Sequence, residues 1–181
     1  MTGYCAYVRL HPEDIFNKNY HDREYGFPLE DDNLLFERLV LEINQAGLSW
    51  ITILKKKDNF RRAYRGFDID KVAGFRKREV GHLLSDAGII RNKLKIHAAV
   101  ENAKQIQILR GEFGSFKGWL DVHHPRPLQE WARLFKQTFV FTGGEIVREF
   151  LVSTGYLAGA HNEDCPIYRK VAELRPAWMR K

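Results

Sequence analysis

The sequence is poor in the features that would take it out of the ordinary soluble classes. It holds 2 cysteines and 6 prolines in 181 residues, too few for a disulfide-stapled scaffold or a proline-rich tract. Long apolar runs are missing as well. The longest stretches free of Asp, Glu, Lys and Arg are Ile43 to Leu54 and Phe150 to Asn162, short of the roughly 18 residues a membrane span needs. No repeat and no low-complexity linker divides the chain. Met1-Thr2-Gly3-Tyr4-Cys5 lacks the basic start and apolar core of a secretory leader. The expectation is therefore a cytoplasmic protein with reduced cysteines and no membrane contact.

What is present fits one domain over residues 1–181, long enough to bury a sizeable core. Hydrophobic residues make up 44% and charged residues 29%, the balance of an ordered globular chain. Lys and Arg number 29 against 23 Asp and Glu, a net charge of +6. That excess permits a polyanionic partner without requiring one. A monomer is expected.

The hydrophobic pattern is helical nearly throughout and predicts an all-α fold. Leu34, Leu35, Phe36, Leu39, Val40 and Ile43 recur at three- and four-residue spacing after the cap candidates Asp31, Asp32 and Asn33, which predicts an amphipathic helix. A second helix is expected from Ser49 through Trp50, Ile51, Ile53 and Leu54, ending near Lys55-Lys56-Lys57. Others are expected at Asn59 to Arg65, Asp70 to Phe75, Arg78 to Ser85, Asn92 to Leu109, Pro127 to Lys136 and Gly144 to Thr154. Thr138 to Phe141 has the composition of a short extended run.

Four groups of residues carry chemistry. At Asp86-Ala87-Gly88-Ile89-Ile90 a turn separates two helical patterns, with Arg91, Lys93 and Lys95 just beyond. A glycine turn lets backbone N–H groups approach an anion, and the next helix N-terminus adds its positive end. An ordinary connection between helices has the same composition. Cys5 and Cys165 lie at opposite ends of the chain, each with a histidine within reach, His21 and His161. Together they are a possible Cys2His2 zinc staple, although no Cys-x-x-Cys pair supports it and a chance His-x3-Cys is easy to obtain.

In Leu41-Glu42-Ile43-Asn44-Gln45-Ala46-Gly47-Leu48-Ser49-Trp50, an acid inside an apolar run is either on a wet face, paired or functional. If Glu42 and Trp50 enter a pocket with Tyr20 and Tyr25, they offer an acceptor and π-faces to a flat, cationic base. His123 and His124, ahead of Pro125-Arg126, are expected in a solvated loop rather than on a metal.

Read together, these segments resemble the DNA-3-methyladenine glycosylase I family, within the helix-hairpin-helix DNA glycosylases. The resemblance runs from about Cys5 to Tyr168. It is carried by Tyr20-His21-Asp22, Glu24-Tyr25-Gly26, Leu41-Glu42 with Gln45-Ala46-Gly47-Leu48-Ser49-Trp50-Ile51-Thr52, Leu54-Lys55-Lys56, Asp86-Ala87-Gly88-Ile89-Ile90-Arg91, and the His161–Cys165 pair.

The resemblance implies removal of 3-methyladenine from alkylated duplex DNA by a monofunctional glycosylase. It implies a helix-hairpin-helix over residues 79–109 and a structural zinc ion held by Cys5, His21, His161 and Cys165, joining segments 5–21 and 161–165. It also implies Glu42 as the base reader, Trp50 and Tyr20 as its aromatic partners, and Gly88, Ile90, Arg91 and Lys93 at a DNA phosphate. Departures from the family pattern are Asn17 in place of a tyrosine, Tyr25 in place of a tryptophan, and Glu145 near the pocket. A DNA-binding module without excision, or a glycosylase for a different modified base, are the alternatives those departures raise. The first Asp after Gly88 is Asp121, and the resemblance implies no catalytic acid at the hairpin.

Overall fold

Helices account for the whole architecture of the computed structural model, which describes residues 3–180. Among those residues there is no strand. In chain order the helices are α1 (Tyr4–Leu10), α2 (Ile15–Arg23), α3 (Asp32–Gln45), α4 (Trp50–Ala63), α5 (Ile69–Ala73), α6 (Lys77–Ser85), α7 (Lys93–Phe113), α8 (Phe116–His123), α9 (Leu128–Thr138), α10 (Gly144–Ser153) and α11 (Pro166–Glu173). None is long and apolar enough to cross a membrane.

Helix α3 organises the rest. Asp31 caps it by accepting from the N–H groups of Asn33 and Leu34, which satisfies donors that have no partner inside the helix. Every residue from Leu35 to Asn44 is buried, because α4, α7, α8 and α10 all pack against this one helix. The helix is buried on every side and not along one amphipathic face alone. Glu37, Arg38, Glu42 and Asn44 lie inside the protein along with the apolar stripe.

Helix α4 also differs from expectation. It passes through Lys55-Lys56-Lys57 without a break and absorbs the separate helix expected at Asn59. Lysine is a good helix former. Here Lys56 reaches the carbonyls of Ala87 and Gly88, while Lys57 pairs with Glu24.

The short helices α1, α2, α8 and α11 were not anticipated. Each is nine residues or fewer, too short for strong periodicity, and each depends on packing for its stability. Thr138 to Phe141 forms no strand, although Phe139 itself is extended. The Thr142 hydroxyl donates to the carbonyls of Phe135 and Phe139 and folds this segment into the turn between α9 and α10.

One large core runs through the molecule, with Phe60, Tyr64 and Phe67 in one sector and Phe116, Trp119, Trp131, Phe135 and Phe150 in another. A second, small cluster of Cys5, Cys165, Ile167 and Val171 joins the two ends of the chain.

Candidate active site and metal centre

The two ends meet at four buried donors. The ligand atoms of Cys5, His21, His161 and Cys165 all lie within 4.8 Å of one another. Cys5 Sγ is 3.3 Å from His21 Nε2 and 3.7 Å from His161 Nδ1, and Cys165 Sγ is 3.7 and 3.9 Å from the same two nitrogens. A tetrahedral ion with zinc's usual bonds to sulfur and nitrogen sets its ligands roughly 3.3–3.8 Å apart, so the set is close to the size such an ion requires.

Each imidazole is oriented by its other nitrogen. His21 Nδ1 lies 2.8 Å from Asp22 Oδ1 and His161 Nε2 lies 2.7 Å from the Tyr25 carbonyl, an arrangement that leaves one defined lone pair per ring facing the sulfurs. Gly26 permits this approach. A Cβ there would stand 2.5 Å from Ala160 Cβ and 3.4 Å from the His161 ring, and its φ of 81° disfavours any side chain. Asp164-Cys165 leads into α11 through Pro166 at the first helical position, where a missing N–H costs nothing.

Beside this cluster is an aromatic corner. The Tyr20 ring lies 5.0 Å from Trp50 and 5.6 Å from Tyr25, and Tyr4 lies 5.2 Å from Tyr25. Glu42, from the last turns of α3, is 4% exposed. Among the described residues its carboxylate takes part in no hydrogen bond or ion pair. Burial pushes that carboxyl up to about 8, with the Arg38 cation opposing and the Glu149 charge adding to the rise. The Tyr20 hydroxyl is likewise buried without a partner.

Arg38 lies behind Tyr20, its guanidinium 4.9 Å from the ring centroid, and is held by the Ser153 carbonyl and Glu24. The corner thus contains an acid with unused acceptor capacity and rings with π-faces, the groups that can hold a flat ligand bearing N–H donors.

The third feature is the turn between α6 and α7. The N–H of Gly88 itself donates to Asp86 Oδ1 at 2.7 Å. Glycine is required here because a Cβ would meet Asp86 Oδ1 at 2.9 Å and the Asn59 side chain at 3.1 Å. Lys56 and Asn59 brace the turn through its carbonyls. Among the described residues the backbone N–H groups of Ile90 and Arg91 make no hydrogen bond, and α7 begins directly after them behind its cap Asn92. Leu48, an exposed apolar side chain from the α3–α4 turn, lines the same groove with Lys56, Ile90 and Arg91.

Of the sequence-level departures, Asn17 is buried and accepts from the Tyr4 hydroxyl at 2.8 Å, so Tyr4 supplies a ring beside the position where a tyrosine was expected. Glu145 is exposed. The acid near the corner is Glu149, one helical turn further on, whose Oε2 accepts from the Tyr25 hydroxyl. Tyr4, Arg38 and Glu149 were not singled out from the sequence. The i, i+4 interval from Glu145 was the one signal that pointed at Glu149. His123 is half-buried, with Nδ1 2.7 Å from the Trp119 carbonyl, and Asp121 is occupied by Tyr156 and Lys117.

An all-helical protein that has, among its described residues, a buried acid without a hydrogen bond, a corner of tilted and edge-on aromatic rings and a turn with unbonded backbone donors has the equipment of a helical DNA base-reading protein. Comparison with known proteins gives the family. The methyladenine glycosylase family model matches residues 11–169.

The chain is 36% identical to DNA-3-methyladenine glycosylase 1 of Escherichia coli (strain K12), over 91% of this chain and 96% of that protein. It is 34% identical to DNA-3-methyladenine glycosylase of Haemophilus influenzae, over 92% and 98%. The solved 3-methyladenine DNA glycosylase I from Staphylococcus aureus superposes with a TM-score of 0.81 at 30% identity, covering 91% of this chain and 97% of that one. A solved variant of 3-methyladenine DNA glycosylase I in complex with 3-methyladenine gives 0.80 at 30% identity, over 92% and 97%. The protein belongs to the methyladenine glycosylase family.

Proposed function

We propose that this protein excises 3-methyladenine from alkylated duplex DNA and leaves an abasic site, with a structural zinc ion on Cys5, His21, His161 and Cys165. The observation that carries the reading is Glu42, a buried acid whose charge acts on the phenols of Tyr20 and Tyr25 and which makes no hydrogen bond or ion pair among the described residues. Such a group destabilises the fold unless a ligand uses it.

A purine methylated at N3 is cationic while bonded to the sugar, and a lesion that pairs poorly costs less to flip out of the stack. Cleavage of the N9–C1′ bond returns its electron pair to the purine, which leaves neutral, while water adds to C1′ and gives a proton to solvent. No acid is needed to protonate the leaving base. The protein's work is to select and hold it. Glu42 accepts from the exocyclic amine, and Trp50 and Tyr20 stack on or flank the ring.

A cationic base beside Glu42 also favours the carboxylate over the neutral acid, opposing the effect of burial. DNA is held at the turn by the Ile90 and Arg91 N–H groups, the N-terminus of α7 and the charges of Arg91 and Lys93, with Gly88 giving the turn its close packing. When bound, zinc supplies a cross-link between the chain ends and no step of the reaction.

The test is base release from methylated duplex DNA, with freed bases separated by chromatography, for the wild type and Glu42→Gln. Wild-type release of 3-methyladenine, reduced by at least about tenfold in Glu42→Gln while its helical content and metal are retained, is the expected result. Equal release by both proteins rejects Glu42 as the reader. No release by either, with DNA binding intact, rejects excision of this base and leaves a binding module or a different lesion.

A further inference from the structure

Two lysines run in opposite directions between the segment that carries Glu42 and Trp50 and the α6–α7 turn. Lys95, in the first turn of α7, donates from Nζ to the carbonyls of Asn44 at 2.9 Å and Ala46 at 2.6 Å. Both carbonyls lie in the chain between Glu42 and Trp50. The backbone N–H of Lys95 is held at 3.2 Å by the cap Asn92, so this one residue links the N-terminus of α7 to the end of α3. Lys56, on α4 beyond Trp50, reaches the other way. It donates to the carbonyls of Ala87 at 2.9 Å and Gly88 at 3.3 Å, just ahead of Ile90 and Arg91.

Hydrogen bonds from an ammonium are stronger than those between neutral groups. Neither lysine pairs with an acid among the described residues, and Lys95 is 5% exposed. A buried cation without a counterion destabilises the fold, and an apolar side chain of the same size would fill the space without that cost. What the lysines add beyond filling is a fixed reach between two segments, made once from each side.

We infer that Lys95 and Lys56 are positioning residues that hold the α6–α7 turn and the Glu42–Trp50 segment at one spacing, so that DNA bound at the turn and a base bound in the corner strengthen each other's binding. The inference rests on the roles given above to the turn and the corner. A flipped base is joined to the backbone that the turn grips, so energy from the grip reaches the base only if that spacing is kept. After excision the base and the abasic strand are separate molecules in the same two places, and their coupling is measurable as that of two ligands.

The experiment measures binding of free 3-methyladenine by quenching of tryptophan fluorescence, with and without a saturating duplex that carries a tetrahydrofuran abasic analogue. In the wild type the duplex raises the affinity for the base about fivefold or more. In Lys95→Met and in Lys56→Met that factor falls below about twofold, while the affinities for base alone and for duplex alone each change less than about threefold. Lys56→Arg, which keeps a charged donor of similar reach, retains the factor.

A role in folding alone lowers the melting temperature and leaves the factor intact in the folded protein, and that result overturns the inference. So does a wild type without coupling or without binding of either ligand, or a loss of base affinity that is the same with and without the duplex. Should Lys95→Met fail to fold, the half-buried Lys56 carries the test. Base release from methylated DNA is measured on the same wild-type protein, so a chain that shows the coupling without releasing base loses the excision reading and keeps this one.

Discussion

Glu42 is the residue on which most of the proposed chemistry converges, and its surroundings set a pH response. Arg38 on its own helix, Glu149 on α10 and the hydroxyls of Tyr20 and Tyr25 are the titratable groups around it, and burial outweighs them to raise its carboxyl from 4.5 to about 8. In the unfolded chain the carboxyl ionises at its ordinary value. Between about 4.5 and about 8 the folded protein therefore holds a proton that the unfolded chain has lost, and stability falls as pH rises through that window. Glu42→Gln removes this dependence. Its melting temperature is expected to exceed that of the wild type by a margin that grows as pH is raised across the window. A margin independent of pH contradicts the burial account.

Glu42 and Trp50 were legible because a distinctive string surrounds them. Glu149 was not, since Glu145 has the same chemistry in the same helix and only the packing of α10 on α3 decides which of the two faces inward.

At the scale of elements, two joints hold the site. The first is the end of α3, where the buried Lys95 of α7 donates to the carbonyls of Asn44 and Ala46 at 2.9 and 2.6 Å. These carbonyls have no partner within their own helix. Lys95→Met leaves them unsatisfied and is expected to cost about 1–3 kcal/mol of stability, read as a lowered urea midpoint. An unchanged midpoint refutes the cap.

The second joint is the cluster of Cys5, His21, His161 and Cys165, a group that can hold a metal ion, which ties α1 and α2 to the segment before α11. Purified protein is expected to carry one zinc ion per chain by elemental analysis. Cys165→Ser is expected to lose it and to melt several degrees lower, because ligand binding by the folded state alone adds directly to its stability. Metal-free wild type with undiminished stability rejects the staple. Helix α7, expected from about Asn92, was readable from the sequence, as was α3 with Asp31 among its cap candidates. The short helices α1 and α2 that carry Cys5 and His21 were not, because seven and nine residues give too little periodicity to detect.

For the molecule as a whole, the net charge of +6 becomes useful only once the fold shows where some of it lies. Arg91 and Lys93 are exposed beside the N–H groups of the α6–α7 turn that make no hydrogen bond among the described residues. DNA binding is expected to weaken steeply with salt, each phosphate contact adding about −0.9 to the slope of log affinity against log salt. Replacing both Arg91 and Lys93 by Ala should flatten that slope by about one to two units, and an unaltered slope moves the footprint elsewhere.

The sequence by itself determined the helical class, the main caps and the family to which the chain belongs. Those depend on neighbours within a turn or two, or on strings that survive as strings. The tertiary structure alone decided that the Gly88 N–H goes to Asp86 and that Glu149 rather than Glu145 reaches the aromatic corner. Each of these depends on burial and on contacts between distant segments, and long-range packing sets both while local pattern does not.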